Sequence, residues 1–250
     1  MKKALLFDLD GTLLPMDTAT FVQAYIQSLV PHFEGMIPAD ALVPMLWHAT
    51  QTMVKNTDVT YTNAQVFEQE FLNQSQMKKE EVWPVFELYY ESSFPKLEEH
   101  VQYEQNAEQV ILAAKAAGYR VVLATNPVFP QIAVYERLKW AGIDANLFEY
   151  ITINEETHFC KPNPMYYQAI MEKLKLAPAD CIMIGNDMQE DMIASELGMK
   201  TFYLSTDHRI DRGTPTYTFD QEGTMLELLV AIQTGSGIFQ REQKHVHEMD

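Results

Sequence analysis

Apolar residues follow two different periods along the chain. Short apolar runs, such as 5–7 and 121–124, predict buried strands. Between such runs, segments in which apolar residues recur every three or four positions predict helices, and some end at a glycine, as 108–117 does at Gly118. Strands and helices that alternate in this way are typical of a parallel sheet covered by helices. We therefore predict an α/β fold with a Rossmann-like, doubly wound core.

The alternation continues through the second half of the chain. Further strands are predicted at 150–153, 181–184 and 201–204, and further helices at 131–140, 164–174 and 190–197. Each predicted helix can cross from the end of one strand to the start of the next, as a parallel sheet requires.

A helical block interrupts this pattern after the first strand. Residues 17–94 contain no strand-like run, and Phe21, Tyr25 and Leu29 recur at four-residue spacing, so about four helices are expected. Because the first strand belongs to the same sheet as the later ones, the block is an insertion. The predicted domains are a core of residues 1–15 and 101–235, an all-helical insertion at 16–100, and a polar, glycine-punctuated tail at 236–250 that we expect to be mobile.

The charge of the chain restricts its partners. Lys and Arg number 18 and Asp and Glu number 35, which gives a net charge of −17 at pH 7. Such a surface repels nucleic acid and anionic lipid, so neither is expected as a partner. Two cysteines, no export signal and no apolar run of about 18 residues predict a cytoplasmic protein. No pattern indicates an oligomeric state.

Polar side chains directly follow three of the predicted strands. They are Asp8 after the first strand, Thr125 and Asn126 after the second, and Asn186 and Asp187 after the strand at 181–184. The carboxyl ends of parallel strands lie at one edge of a sheet, where open α/β folds bind ligands. We therefore expect these side chains to share one crevice.

Two carboxylates in that crevice need a compensating charge. If Asp8 and Asp187 approach to roughly 4 Å, they repel by about 4 kcal/mol at an effective dielectric constant near 20. Either a bound proton or a cation would offset this, and oxygen donors with room for water suit Mg²⁺ better than zinc. Lys161, held in extended backbone by Pro162, can supply a local positive charge.

Four segments, taken together and in this order, resemble the haloacid dehalogenase-like hydrolase superfamily. They are DLDGT at 8–12, LATN at 123–126, CKPNP at 160–164 and IGNDMQED at 184–191. The resemblance implies that the helical insertion is a cap that closes over a small phosphorylated metabolite. It also implies a Mg²⁺-dependent phosphatase that works through an aspartyl-phosphate intermediate.

The same resemblance assigns roles to residues. Asp8 is implied as the nucleophile, Asp10 as the acid and base, and Thr125 and Lys161 as ligands of the phosphoryl oxygens. The phosphate site implied in full comprises Gly11, Thr12, Thr125, Asn126 and Lys161. Implied metal ligands are Asp8, the carbonyl of Asp10 and Asp187, with Asn186 and Asp191 supporting them.

The last segment departs from the usual family pattern. It commonly opens with Gly-Asp, whereas here Asn186 follows Gly185 and Asp187 comes one position later. Counting four residues on from Asp187 reaches the acid Asp191, so we favour Asp187 as the metal ligand over Asn186. Asp187 with Glu190 also matches a helix-capping pattern, and both roles can coexist.

Other interpretations stay open at this point. A phosphomutase of the same fold, or a non-catalytic binding protein on this scaffold, would show the same segments. Asp10 disfavours a dehalogenase or a phosphonate hydrolase, because those reactions need no acid two residues after the nucleophile. Cys160 is expected to be packed rather than reactive, and Trp47 and His48 are expected in the core rather than at a substrate pocket.

Overall fold

Six parallel strands form one sheet in the computed structural model, which describes residues 3–240. The strands are β1 Ala4–Phe7, β2 Arg120–Leu123, β3 Tyr150–Ile151, β4 Cys181–Gly185, β5 Lys200–Leu204 and β6 Gln221–Gly223. Their order across the sheet is β3-β2-β1-β4-β5-β6, and every neighbouring pair is parallel. This arrangement confirms the predicted doubly wound α/β core.

The helices occupy the connections between these strands. They are α1 Thr18–Leu29, α2 Ala39–Val54, α3 Asn63–Ser75, α4 Lys79–Ser92, α5 Ala107–Ala116, α6 Gln131–Trp140, α7 Pro164–Leu174 and α8 Met225–Thr234. None of the helices within residues 3–240 combines the length and the apolar character that crossing a membrane requires.

Strand β1 is central to the sheet and buried on both faces. Leu5 and Phe7 point into one apolar cluster, and Ala4 and Leu6 point into another on the opposite face. A strand covered on both sides has no solvated face, which explains why β1 is an unbroken apolar run. Phe7 is in register with Leu123 of β2 and with Ile184 of β4. The three central strands therefore end at the same level, as predicted.

Four α-helices, α1 to α4, lie between β1 and α5 and confirm the helical insertion. Asp17 begins α1 by accepting a hydrogen bond from the backbone N of Thr20 at 2.8 Å, and Thr62 begins α3 with a capping box. Aromatic rings pack within the insertion, with Phe33 and Phe86 centroids 5.0 Å apart. The domain boundaries themselves stay a prediction.

The segment after β4 differs from the predicted helix at 190–197. Residues 188–191 form turns, and only Met192–Leu197 are helical, in a 3-10 conformation. The backbone N of Asp187 donates to Asp191 Oδ2 at 3.0 Å, and the N of Asp191 donates to the Asp187 carbonyl at 3.0 Å. These bonds hold the polar turn at the sheet edge and delay the helix. Gly198 ends it with φ +83°, as predicted.

The predicted tail at 236–250 is wrong for its first part. Residues 237–239 form a 3-10 turn, and Phe239 is fully buried with its ring 6.1 Å from that of Phe202. The hydroxyl of Tyr119 donates to the Phe239 carbonyl at 3.1 Å. Burying the apolar side chains of Ile238 and Phe239 beside β5 stabilises this turn, although the surrounding sequence is polar. Residues 241–250 lie outside the described residues.

Replacing Phe239 by alanine tests whether this turn belongs to the core. We expect Phe239→Ala to lower the free energy of unfolding by about 3–5 kcal/mol, because a fully buried ring is removed. Phe219→Ala is the control, since Phe219 is 39% exposed. Urea unfolding monitored by circular dichroism measures both. Equal, small losses in the two variants would contradict the structure of this turn.

Candidate active site

A buried amine joins two carboxylates at the end of β1. Lys161 Nζ lies 2.9 Å from Asp8 Oδ1 and 2.6 Å from Asp191 Oδ1, and all three side chains are buried. Burial opposes the charge on this amine, but the carboxylates of Asp191 and Asp8 outweigh it and raise the pKa of Lys161. The structure therefore brings together three side chains that lie far apart in the sequence, as expected.

Asp8 is held so that one oxygen stays available. Its backbone N donates to the Ile184 carbonyl at 2.9 Å, which continues the pairing of β1 with β4. Lys161 occupies Oδ1, whereas Oδ2 accepts no hydrogen bond from the residues that the structure describes. Asp8 lines the large cavity at this edge of the sheet. Its free oxygen can therefore meet a ligand there.

Gly185 makes room for Asp191. A Cβ atom added at Gly185 would lie 2.1 Å from Asp191 Oδ2 and 2.7 Å from its Cβ. Any side chain at position 185 would therefore push Asp191 away from Lys161. Sequence reasoning placed Gly185 at the strand end but did not identify this spatial requirement.

Asp187 both caps the following turn and faces the cavity. Its Oδ1 accepts hydrogen bonds from the backbone N of Gln189 and of Glu190, each at 2.9 Å. Arg212 also pairs with it, with Nη1 2.7 Å from Oδ2. Capping and cavity exposure thus coexist at Asp187, as the sequence allowed. Arg212 was missed because it lies in an irregular segment without a motif.

The side chain of Asn186 links the loop after β1 to the loop after β5 by hydrogen bonds. Its Oδ1 accepts from Thr12 Oγ1 at 2.9 Å, and its Nδ2 donates to the His208 carbonyl at 2.6 Å. Gly11, at φ +82°, passes so close that an added Cβ would lie 2.3 Å from Asn186 Nδ2. Both ends of the amide are therefore used within the protein, and the choice of Asp187 over Asn186 as a metal ligand stays a prediction. The phosphate-binding roles of Gly11 and Thr12 stay predictions.

The end of β2 presents Thr125 and Asn126. The Thr125 carbonyl accepts from Thr152 Oγ1 at 2.7 Å and from the Tyr166 hydroxyl at 2.8 Å, which fixes the backbone. Asn126 Oδ1 accepts from the backbone N of Lys161 at 3.2 Å. This bond ties the second segment to the third. Thr125 and Asn126 both line the cavity.

Glu190 is an acid that sequence reasoning considered only as a capping residue. Its Oε2 accepts from Asn126 Nδ2 at 2.9 Å, and Arg212 Nη2 lies 3.6 Å from its Oε1. Burial and the nearby Asp187 carboxylate raise the pKa of Glu190 to about 7. Glu190 therefore changes charge close to neutral pH.

A second buried cation, Arg137 of α6, forms a salt bridge with Asp10. Arg137 is fully buried, its guanidinium lies 4.6 Å from the centroid of the Phe129 ring, and its Nε donates to the Ala133 carbonyl at 3.3 Å. Burial raises the pKa of Asp10 although Arg137 opposes the shift. Sequence reasoning missed Arg137, and its place on the apolar face of α6 beside Val134 was the available signal.

Comparison with known proteins identifies the family. The model of the haloacid dehalogenase-like hydrolases matches residues 2–197. The chain belongs to this family.

Relatives of the chain carry different activities on one fold. A phosphoglycolate phosphatase of Colwellia psychrerythraea is 27% identical over 249 residues, covering 93% of this chain and 97% of that protein. A haloacid dehalogenase-like phosphatase of Thermococcus onnurineus superposes with a TM-score of 0.55 at 21% identity, covering 90% of this chain and 95% of that one. A defluorinating L-2-haloacid dehalogenase superposes with a TM-score of 0.58 at 16% identity, covering 93% and 95%. These two likenesses show the fold alone.

A cavity of about 660 Å³ covers the site of this haloacid dehalogenase-like hydrolase, between the insertion and the sheet edge. Trp47 of α2 lines it and is 46% exposed, so the expectation that Trp47 packs in the core is wrong. His48 does not belong to the core either, because its side chain is exposed and pairs with Glu70 at 3.2 Å. Cys160 is fully buried, and burial raises the pKa of its thiol, so it is packed as expected.

The oxygen donors at this site fit a divalent cation. Within residues 3–240 no group of three or more His, Cys, Asp or Glu side chains is arranged to hold a metal. The predicted set differs, because it uses two carboxylates and the Asp10 carbonyl, and that carbonyl accepts no hydrogen bond from the described residues. The charged side chains gathered here are Asp8, Asp10, Asp187, Glu190 and Asp191 against Arg137, Lys161 and Arg212. Carboxylate and carbonyl oxygens of this kind are the hard donors that Mg²⁺ takes.

The raised pKa of Glu190 predicts a pH-dependent stability. Since the folded state holds this pKa near 7 against an ordinary value of 4.5, wild-type stability falls as pH rises through that window. Glu190→Gln keeps the acceptor for Asn126 and cannot ionise. We expect the variant to gain about 1 to 3 kcal/mol relative to wild type between pH 5 and pH 8.

Thermal or urea unfolding in the presence of a chelator measures this difference. The control is Glu196→Gln, at an exposed position away from the cavity. A stability difference between Glu190→Gln and wild type that is independent of pH would contradict the prediction.

Proposed function

We propose that this hydrolase is a Mg²⁺-dependent phosphatase that acts on phosphoric monoesters of small molecules. The observation that carries the proposal is the pair of Lys161 and Asp8 at the cavity, in which the amine holds Oδ1 and Oδ2 accepts no hydrogen bond from the described residues. The name of the Colwellia relative supports the same reaction class.

In the first step Asp8 Oδ2 attacks the phosphorus atom. The bond from phosphorus to the ester oxygen breaks, and an aspartyl-phosphate forms on Asp8. Asp10, whose raised pKa favours the protonated form, gives its proton to the departing alcohol. Asp10 Oδ1 has no hydrogen-bond partner among the described residues, so it is the oxygen that can carry this proton.

In the second step water replaces Asp8 on phosphorus. Asp10 takes a proton from that water, the oxygen attacks the phosphorus atom, and the acyl-phosphate bond breaks to release inorganic phosphate. Asp8 returns to a carboxylate beside Lys161, and Asp10 is again protonated for the next cycle. Arg137 holds Asp10 in place throughout.

Positive groups must overcome the negative charge of the protein at this site. Thr125, which lines the cavity, and Lys161, which is bonded to Asp8 Oδ1, would contact the phosphoryl oxygens. Asp8, the Asp10 carbonyl and Asp187 would hold Mg²⁺, which would neutralise charge on the phosphoryl group. Asp191 keeps Lys161 oriented, and Asn186 braces the loops around it.

Replacing the nucleophile tests the reaction. With acetyl phosphate, an activated substrate with a minimal leaving group, we expect Mg²⁺-dependent phosphate release that Asp8→Asn lowers by about 10³-fold or more. Asp207→Asn, at an exposed position, is the control and should match wild type. Turnover that survives in Asp8→Asn, or a folded wild type that is silent with Mg²⁺, would overturn the proposal. Silence would instead favour a binding protein.

The pairing of Arg212 with Asp187 predicts a change in metal affinity. Because the guanidinium competes for the carboxylate, Arg212→Gln should bind Mg²⁺ several-fold more tightly than wild type. Arg209→Gln is the matched control, since Arg209 pairs with Glu222 outside the site. Isothermal titration calorimetry with MgCl₂ measures the affinity. Weaker binding in Arg212→Gln would show that Arg212 supports the metal site rather than competing with it.

A further inference from the structure

The cavity above Asp8 is large for the substrate named for the Colwellia relative. Its volume of about 660 Å³ lies within the range of sites that enclose drug-sized ligands. Phosphoglycolate, a two-carbon acid, would fill little of that space. Helices α1 to α4 all contribute to the lining, so the extra volume lies on the side away from the sheet.

Eight aromatic side chains line the cavity, seven of them from the insertion. They are Phe21, Tyr25, Trp47, Phe67, Trp83, Phe86, Tyr90 and Phe129. Several of these rings pack edge to face on one another, as Tyr25 and Phe129 do at 5.3 Å. Trp47 differs, because it is 46% exposed and makes no ring contact with another aromatic residue in the described part of the chain. Its indole face is therefore free to stack on a ligand.

The charged side chains around this volume that lack a salt-bridge partner among the described residues are acidic. Among the described lining residues Arg212 is the one Lys, Arg or His, and it is already paired with Asp187. Glu87 and Glu91, one turn apart on α4, line the same volume, and no salt bridge forms to either within residues 3–240. A third acid, Glu155, accepts hydrogen bonds from the backbone N of Gln131. A carboxylate on the leaving group would find no counter-charge here.

We infer that the preferred substrate is a phosphomonoester whose leaving alcohol carries an aromatic ring and no negative charge. This inference rests on the proposed function and names its substrate class. The ring would stack on Trp47 among the aromatic walls, and the acids of α4 would repel carboxylated alcohols. Selection would therefore come from the helical insertion, while the sheet edge performs the chemistry.

Three alkyl phosphates test separately how the size and the charge of the leaving alcohol affect turnover. They are 2-phenylethyl phosphate, its para-carboxylated analogue and phosphoglycolate, and all three have primary alcohols as leaving groups. We expect kcat/KM for 2-phenylethyl phosphate to exceed that for each of the others at least tenfold, mainly through KM. Equal values, or a preference for phosphoglycolate, would overturn the inference.

Two further experiments distinguish a wrong substrate class from a wrong proposed function. One measures turnover of acetyl phosphate, and the other measures binding to the Asp8→Asn variant. Acetyl phosphate reports phosphoryl transfer with almost no leaving group to bind, so its turnover beside a preference for phosphoglycolate would overturn only the substrate class. Calorimetric binding of the same three phosphates to Asp8→Asn tests the preference without turnover. Tighter binding of phosphoglycolate there would overturn the inference even if no substrate reacts.

Variants of Trp47 test whether its indole ring contributes to the preference for aromatic substrates. Trp47→Ala should lower the ratio of kcat/KM for 2-phenylethyl phosphate to that for acetyl phosphate about tenfold, which equals about 1.4 kcal/mol of stacking. Trp47→Phe should restore most of the ratio. Leu88→Ala, at an exposed position of α4 outside the lining, should leave it unchanged. A ratio that Trp47→Ala does not change would contradict stacking.

The acids of α4 have their own test. Glu87→Gln combined with Glu91→Gln should raise kcat/KM for the carboxylated analogue several-fold and bring it closer to that of 2-phenylethyl phosphate. Glu80→Gln, an exposed acid of α4 that does not line the cavity, is the control. An unchanged discrimination in the double variant would contradict repulsion by these carboxylates.

Discussion

The buried contact of Lys161 with Asp8 and Asp191 is the constraint on which the site depends. One amine, enclosed at the edge of the sheet, pairs with two carboxylates that follow different strands, and removing the amine would leave both buried acids without their counter-charge. The end of β4 requires a glycine at position 185, because a Cβ atom there would overlap the side chain of Asp191. The positive charge of Lys161 therefore constrains the positions of three chain segments, which contain Asp8, Lys161 itself and Asp191.

Further cations distribute the remaining negative charge around this centre. Arg137 lies below the site and pairs with Asp10, whereas Arg212 reaches in from the segment after β5 and pairs with Asp187. The chain carries a net charge of −17, so anionic ligands gain nothing from its long-range field. The cations that could meet an anionic ligand are instead local, and Lys161 and Arg212 at this edge of the sheet are each paired with a carboxylate.

The insertion and the sheet have separate physical tasks. Parallel strands that end at one level bring Asp8, Thr125 and Asp187 to one edge of the sheet. Helices α1 to α4 supply an aromatic and acidic lining to the cavity above that edge. Substrate preference is therefore a question about side chains of the insertion rather than about the fold.

The sequence by itself determined the succession of strands and helices along the chain. It also determined the helical insertion and the residues that follow each central strand. Periodicity and polar strand ends are local signals, and the apolar runs 5–7, 121–124 and 181–184 carry them plainly. Only the tertiary structure decided which residues from outside those segments enter the site. Arg137, Glu190 and Arg212 acquire their partners through contacts made across the fold, and Trp47 lines a cavity that forms only where the insertion meets the sheet edge. Phe239 likewise enters the core because space remains beside Phe202, which no local pattern of a polar chain end could reveal.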